Sequence, residues 1–179
     1  NSGNLNFGEG NAGGIFTNLA TGTVILNNGN FTTGASTTFN NNSGASIHGN
    51  GVFNFTSVFN NTGIIAPGLS PGLLTVNGQE PLSANSTLQI EMLNGTGAGA
   101  GHDQLIRSGN ITLGGTLNVT VIGFVPVGTY TILNLISGTI TGSFATVNIP
   151  AGTSILVNST NVQLIVSTVL PLNLISFTG

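Results

Sequence analysis

The chain has no cysteine and no tryptophan, and apart from two histidines its one basic residue is Arg107. Without Cys there is no disulfide framework, thiolate metal site or thiol nucleophile. Without Lys there is no Schiff base, no P-loop lysine and no Lys-based isopeptide cross-link. A single cation leaves no electrostatic footprint for nucleic acid or anionic lipid. The acids are Glu9, Glu80, Glu91 and Asp103, so 3 % of the 179 residues are charged, against about 25 % in an ordinary soluble domain. This inventory points away from an enzyme and implies no cofactor.

What remains is 28 Gly, about two dozen each of Asn and Thr, and a hydrophobic fraction of 39 %. That fraction suffices to bury a core. Strand formers (Val, Ile, Thr, Phe) and turn formers (Gly, Asn) dominate while helix formers are scarce, which predicts an all-β fold. A neutral Asn/Thr surface without thiols or lysines suits an extracellular setting. The apolar stretch 117–136 alternates and is punctuated by Gly123, Pro126 and Gly128, so it reads as strand and turn rather than a membrane-spanning helix. A membrane barrel would want aromatic girdles, and Tyr130 is the single Tyr. Asn1 begins inside a polar, Gly-rich pattern, so the chain reads as an excised or mature piece.

The first part repeats itself. Phe16 precedes Gly22 and Val24, Phe39 precedes Gly44 and Ile47, and Phe59 precedes Gly63 and Ile65, at Phe-to-Phe intervals of 23 and 20 residues. Phe31, Phe53 and Phe55 fall between. A period near 20 built from strand and turn signals predicts a short parallel β-helix over residues 1–79, with Phe16, Phe39 and Phe59 in one stack. The alternative is a sandwich of antiparallel hairpins, because Asn28-Gly29 and Asn77-Gly78 are also hairpin-turn pairs. From 80 to 166 the pattern changes. Strands are expected at 86–93, 103–108, 111–122, 129–135, 144–149, 154–157 and 162–166, spaced as in a sandwich or in irregular closing coils. Residues 80–166 are therefore expected to form a β-rich, sandwich-like cap on the solenoid end. Residues 167–179 read as a linker toward a C-terminal module absent from the sequence.

Two Pro-Gly pairs, Pro67-Gly68 and Pro71-Gly72, predict type II turns with positive φ at each Gly. They would turn the chain out of the last coil before Leu73, Leu74 and Val76 restart a strand. The run 66–78 resembles the PG-x-SPG-x-L-x-V-x-G motif of autotransporter-type passenger and adhesin repeats. Its continuation is similar too: Leu88, Ile90 and Glu91 match the L-x-I-E strand, and Asp103, Gln104 and Leu105 match the aromatic-D-Q-L step with His102 at the aromatic position. Leu113 to Leu117 match L-G-G-T-L, and Gly142 with Phe144 matches G-x-F. The resemblance implies a secreted, non-catalytic β-rich stalk or adhesin. The segment from Val169 to Gly179 resembles the L-P-L-x-L-x-S-F opening found before sorting domains of Bacteroidota proteins, which implies export by type IX secretion.

Candidate chemistry is sparse. Residues 98–105 approach one copy of a Gly-rich calcium-roll repeat, which makes Asp103 a weak metal candidate; such rolls need stacked copies. Asp103 is otherwise expected to accept hydrogen bonds from loop amides or to pair with Arg107. Glu80 and Glu91 are the pair a glycosidase would need, and Arg107 is the only base a lyase could use; neither has supporting aromatic or acidic neighbours. His48 and His102 lack a nearby third ligand and read as solvated loop residues. Nine Asn-x-Ser/Thr sequons occur, as expected by chance at this composition. The structural residues singled out are Pro67, Gly68, Pro71, Gly72, Phe16, Phe39 and Phe59. The expected protein is a secreted or cell-surface structural or adhesive piece whose partners are copies of itself, further coils of a longer chain, or surface carbohydrate. A fibre subunit and a carbohydrate-active β-helix enzyme are the alternatives.

Overall fold

The computed structural model describes residues 4–7, 13–78 and 82–171. The chain is all-β: among the described residues every regular element is a strand. The first part holds β1 (Asn4–Phe7), β2 (Ile15–Asn18), β3 (Thr23–Thr33), β4 (Thr38–Asn41), β5 (Ser46–Asn54), β6 (Val58–Asn61), β7 (Ile64–Pro67) and β8 (Leu73–Asn77). The second holds β9 (Thr87–Met92), β10 (Gln104–Ser108), β11 (Ile111–Leu113), β12 (Thr116–Val121), β13 (Gly128–Ser137), β14 (Ile140–Gly142), β15 (Thr146–Asn148), β16 (Thr153–Val157) and β17 (Asn161–Val166). No helix of the described residues is long and apolar enough to cross a membrane.

Strand pairing follows three series. One runs β3–β5–β7–β9–β12–β15 and another β1–β3–β5–β8–β10–β13, every step parallel. β3 and β5 are long enough to serve both: the first half of β5 pairs with β7 and its second half with β8. The two series thus belong to one 12-stranded sheet. The third series is β2–β4–β6, with β11–β14 as a separate parallel pair. The Asn28-Gly29 pair, read as a possible hairpin turn, lies inside β3, where the register shifts and Asn28 takes φ 57°. It is a bulge in a parallel strand, which bends β3 from one series to the next.

Beyond residue 80 the pairing departs from the sandwich alternative and continues the parallel stack. Parallel pairing crosses that point from β7 to β9 and from β8 to β10, and continues to β15. Among the named strands of the described residues, antiparallel pairing is confined to β17 with its neighbours β13 and β16. The strand spans themselves fall close to expectation, except that 111–122 is two strands separated at Gly114-Gly115 and that β14 lies outside every expected span.

The register explains the repeat. Phe16 faces Phe39 and Phe39 faces Phe59, with ring centroids 4.8 and 5.8 Å apart. Phe31, Phe53 and Phe55 interleave with them; Phe55 stacks on Phe59 at 3.9 Å and Phe31 meets Phe39 edge-on at 5.4 Å. Each such pair contributes about 0.5–1.5 kcal/mol beyond its buried area. Two residues after each Phe of the repeat stands an Asn. Asn18 Nδ2 donates to Asn41 Oδ1 at 2.9 Å and Asn41 Nδ2 to Asn61 Oδ1 at 2.8 Å, all three buried. Their second amide hydrogens reach the carbonyls of Ser46 and Ile64, so the polar column is satisfied inside the core, as a buried amide must be. In the second part the core holds Leu88, Ile90, Leu105, Leu117, Ile132 and Leu164, with Leu88 stacked on Ile65 and Leu105 on Leu74.

Candidate functional site

The sequence motif at 67–72 forms the corner between β7 and β8. It joins two strands of neighbouring series rather than leading out of the stack, because β8 pairs with β5 behind it and β10 ahead. Gly68 has φ 90°, as expected, but the second positive φ falls at Ser70 (99°) and not at Gly72. Gly72 is needed for a different reason: a Cβ there would collide with Asn50 Oδ1 and the Gly68 Cα. Pro67 ends β7, and Pro71 presets the chain for Gly72. Gly68 N donates to Gly49 O at 2.8 Å, and Leu73 N to Asn50 Oδ1 at 2.9 Å.

Beneath this corner lies a groove of about 380 Å³ whose polar lining comes from Thr23, His48, Ser70, Gln89, Glu91 and Asp103. Three of the chain's few titratable groups therefore converge at one place. Asp103 is 1 % exposed. Its Oδ1 accepts from Gly72 N and its Oδ2 from Glu91 N, both at 2.8 Å. Asp103 N in turn donates to Glu91 O at 2.9 Å. Burial pushes the carboxyl up to about 7; the two amides pull it down and the nearby Glu91 carboxylate adds to the rise. His48 is held below its ordinary value by burial, partly offset by Glu91. The arrangement thus presents a neutral imidazole and two acids of unequal environment.

The loop-amide role expected for Asp103 matches these contacts, and they occupy both oxygens. Among the described residues no three His, Cys, Asp or Glu side chains are placed to hold a metal ion. Arg107 is 3 % exposed, and its guanidinium donates to the carbonyls of Gly78 and Asn110 at 3.1 Å. Glu80 lies outside the described residues. Neither histidine is the solvated loop residue expected. His48 sits in β5, half-buried, and His102 is 4 % exposed with its ring edge-on to Tyr130 at 5.4 Å. His102 Nε2 donates to Thr131 O at 3.1 Å, while Nδ1 has no hydrogen-bond partner among the described residues. Burial lowers its pKa.

A larger groove, about 730 Å³, runs beside β12 and β15 against Leu170 and Pro171, with no titratable side chain in its lining. The convergence of His48 and Ser70 on Glu91 and Asp103 was missed from sequence. The signal was the register: it sets His48 opposite Ala66, one residue before the Pro-Gly motif. No protein-family model, curated protein or solved structure matches the chain.

Proposed function

We propose that the chain is a non-catalytic structural or adhesive piece of a secreted or cell-surface protein, built as a short parallel β-helix whose last turns are closed by the β13–β17–β16 hairpin layer. The observation that carries this reading is the stacking of like residues in register, Phe16 on Phe39 on Phe59 and Asn18 on Asn41 on Asn61. Such stacking lengthens a scaffold without requiring charge. Outward positions of the same strands are neutral, as in the row Thr17, Asn40 and Asn60, linked by exposed side-chain hydrogen bonds. A neutral, hydrogen-bonding face of this kind suits a polysaccharide better than an ionic partner. The motif from Pro67 to Gly78 supports a place among autotransporter-like surface repeats, and the segment from Val169 supports type IX export.

The test is retention of the immobilised chain on a panel of neutral and acidic polysaccharides, with released sugar measured alongside. Retention without turnover supports an adhesive scaffold; new reducing ends or unsaturated products replace it with a carbohydrate-active enzyme. A fibre subunit is the second reading. It is favoured by β2, which is paired on one side only among the described residues and carries no charged side chain, the kind of edge that recruits another strand. Filaments that grow with concentration in light scattering would select it.

A further inference from the structure

Of the two acids among the described residues, Glu91 is partly exposed and Asp103 is sealed. Asp103 spans two levels of the stack: one oxygen holds the amide at the end of the 67–72 corner, the other an amide of β9. The two amides are not equally secured. Glu91 is braced by the parallel pairing of β9 with β12, opposite Thr120, and by its carbonyl accepting from Asp103 N. The Gly72 carbonyl likewise accepts from Gln104 N at 3.0 Å, but Gly72 lies outside β7 and β8, in a corner that contains Ser70 at φ 99°, a conformation that a side chain disfavours.

The groups facing Asp103 offer its charge no relief. From β9 comes the Glu91 carboxylate, of like sign, and from β5 the His48 imidazole, whose burial favours the neutral form. β7 and the corner contribute Ala66, Pro67 and Ser70, all uncharged. On its own strand, Arg107 turns its guanidinium to Gly78 and Asn110, and neighbouring His102 faces Thr131.

We propose that Asp103 is a proton-operated clamp on the 67–72 corner: ionised, it holds the Gly72 and Glu91 amides together, and on taking a proton from solvent it releases Gly72 and loosens the corner over the His48–Glu91 groove. The chemistry lies in the acceptor count. A carboxylate accepts strongly at both oxygens, whereas a carboxylic acid turns one of them into a hydroxyl, a donor and a much weaker acceptor for an N–H. The less braced amide is the one given up. Because burial already holds this carboxyl near neutrality, the change falls within the range a surface protein meets.

The experiment follows the backbone amides of Gly72 and Glu91 and the Asp103 side-chain carbon by NMR in the full chain, across about pH 5 to 9. The Asp103 carbon and the Gly72 amide are expected to titrate with one shared midpoint near neutral. Gly72 exchange protection, corrected for intrinsic rate, is expected to fall about 10-fold below that midpoint while Glu91 keeps its protection. D103N should abolish the Gly72 titration, and H48Q should leave it in place. A Gly72 signal that stays flat, an Asp103 midpoint near 4, or a titration lost in H48Q but kept in D103N overturns the clamp. Should D103N fail to fold, coincidence of the two wild-type midpoints decides: separate midpoints overturn the proposal.

Discussion

The part of the chain before residue 79 and the part after residue 81 stack their strands in the same parallel way but fill and space them differently. Before 79 the β2–β4–β6 column is aromatic, with partners 20 to 23 residues apart. After 81 the core is mostly aliphatic and parallel partners lie 28 to 30 apart. The added residues sit at corners such as 93–103 and 122–127, while the strands stay short. One aliphatic column, Ile47, Ile65, Leu88 and Leu117, runs through both parts, so backbone pairing carries the stack across the change of spacing.

The largest effect should come from the centre of the aromatic column. Phe39 is 0 % exposed and touches Phe16, Phe31, Phe55 and Phe59. Phe39→Ala is expected to lose about 3–5 kcal/mol in urea unfolding, and Leu117→Ala in the aliphatic part about 2–5. A loss below about 1 kcal/mol at Phe39 would mean that the aromatic column is not what holds the first part together.

A smaller step separates buried from exposed ladders. Asn41→Ala removes the middle of the buried column and strands its neighbours' amide groups, at about 1–3 kcal/mol per orphaned group. Asn118→Ala removes the exposed partner of Asn148 and should stay within about 0.5 kcal/mol. Equal losses at the two sites would erase the distinction. Arg107→Met, which deprives the Gly78 and Asn110 carbonyls of their donor, belongs with Asn41, at about 1–3 kcal/mol by the same unfolding measurement.

The smallest expected effect is that of His102 on pH dependence, where two buried groups of the second part oppose each other. Asp103 has a folded pKa raised from 3.8 to about 7. Its contribution to stability is full below the unfolded value and is lost as pH rises through about 7. The cost of burying its charge exceeds what the second amide bond returns, so proton uptake stabilises the whole fold even while it frees one corner. His102 has a folded pKa lowered from 6.5, so its contribution is present above that value and fades as pH falls below it. Melting curves of H102Q should therefore hold up better than wild type as pH drops from about 7 to 5. An unchanged slope would show that His102 does not titrate with unfolding.

The all-β class and most strand spans were legible because alternation and Gly/Asn punctuation are local signals. Pairing was legible only where a residue type repeats. Phe16, Phe39 and Phe59 announce their register, whereas Leu88 and Leu117 do not stand out among so many Leu, Ile and Val. Without that marker, strands roughly ten residues apart suit hairpins as well as parallel stacks, which is why the second part reads as a sandwich. The groove stayed hidden for the same reason: His48, Ser70, Glu91 and Asp103 are spread over 56 positions, numbers 48 to 103, and only the register folds them together. Gly72 shows a further limit, since its need for a missing side chain comes from Asn50, a residue on another strand.

The buried asparagine column has a direction. Each amide donates forward, from Asn18 to Asn41 and from Asn41 to Asn61, and the last oxygen also accepts from Gly63 N at 3.1 Å. Aligned side-chain dipoles of this kind form an arrow, with the Asn18 carbonyl at its tail and the Asn61 amide nitrogen at its head. A second arrow joins the first only tail to head; two tails would set oxygen against oxygen. In the proposed fibre reading, a copy that continues the column beyond Asn18 would therefore point the same way, and the series would be one-way, its length set by supply rather than by symmetry.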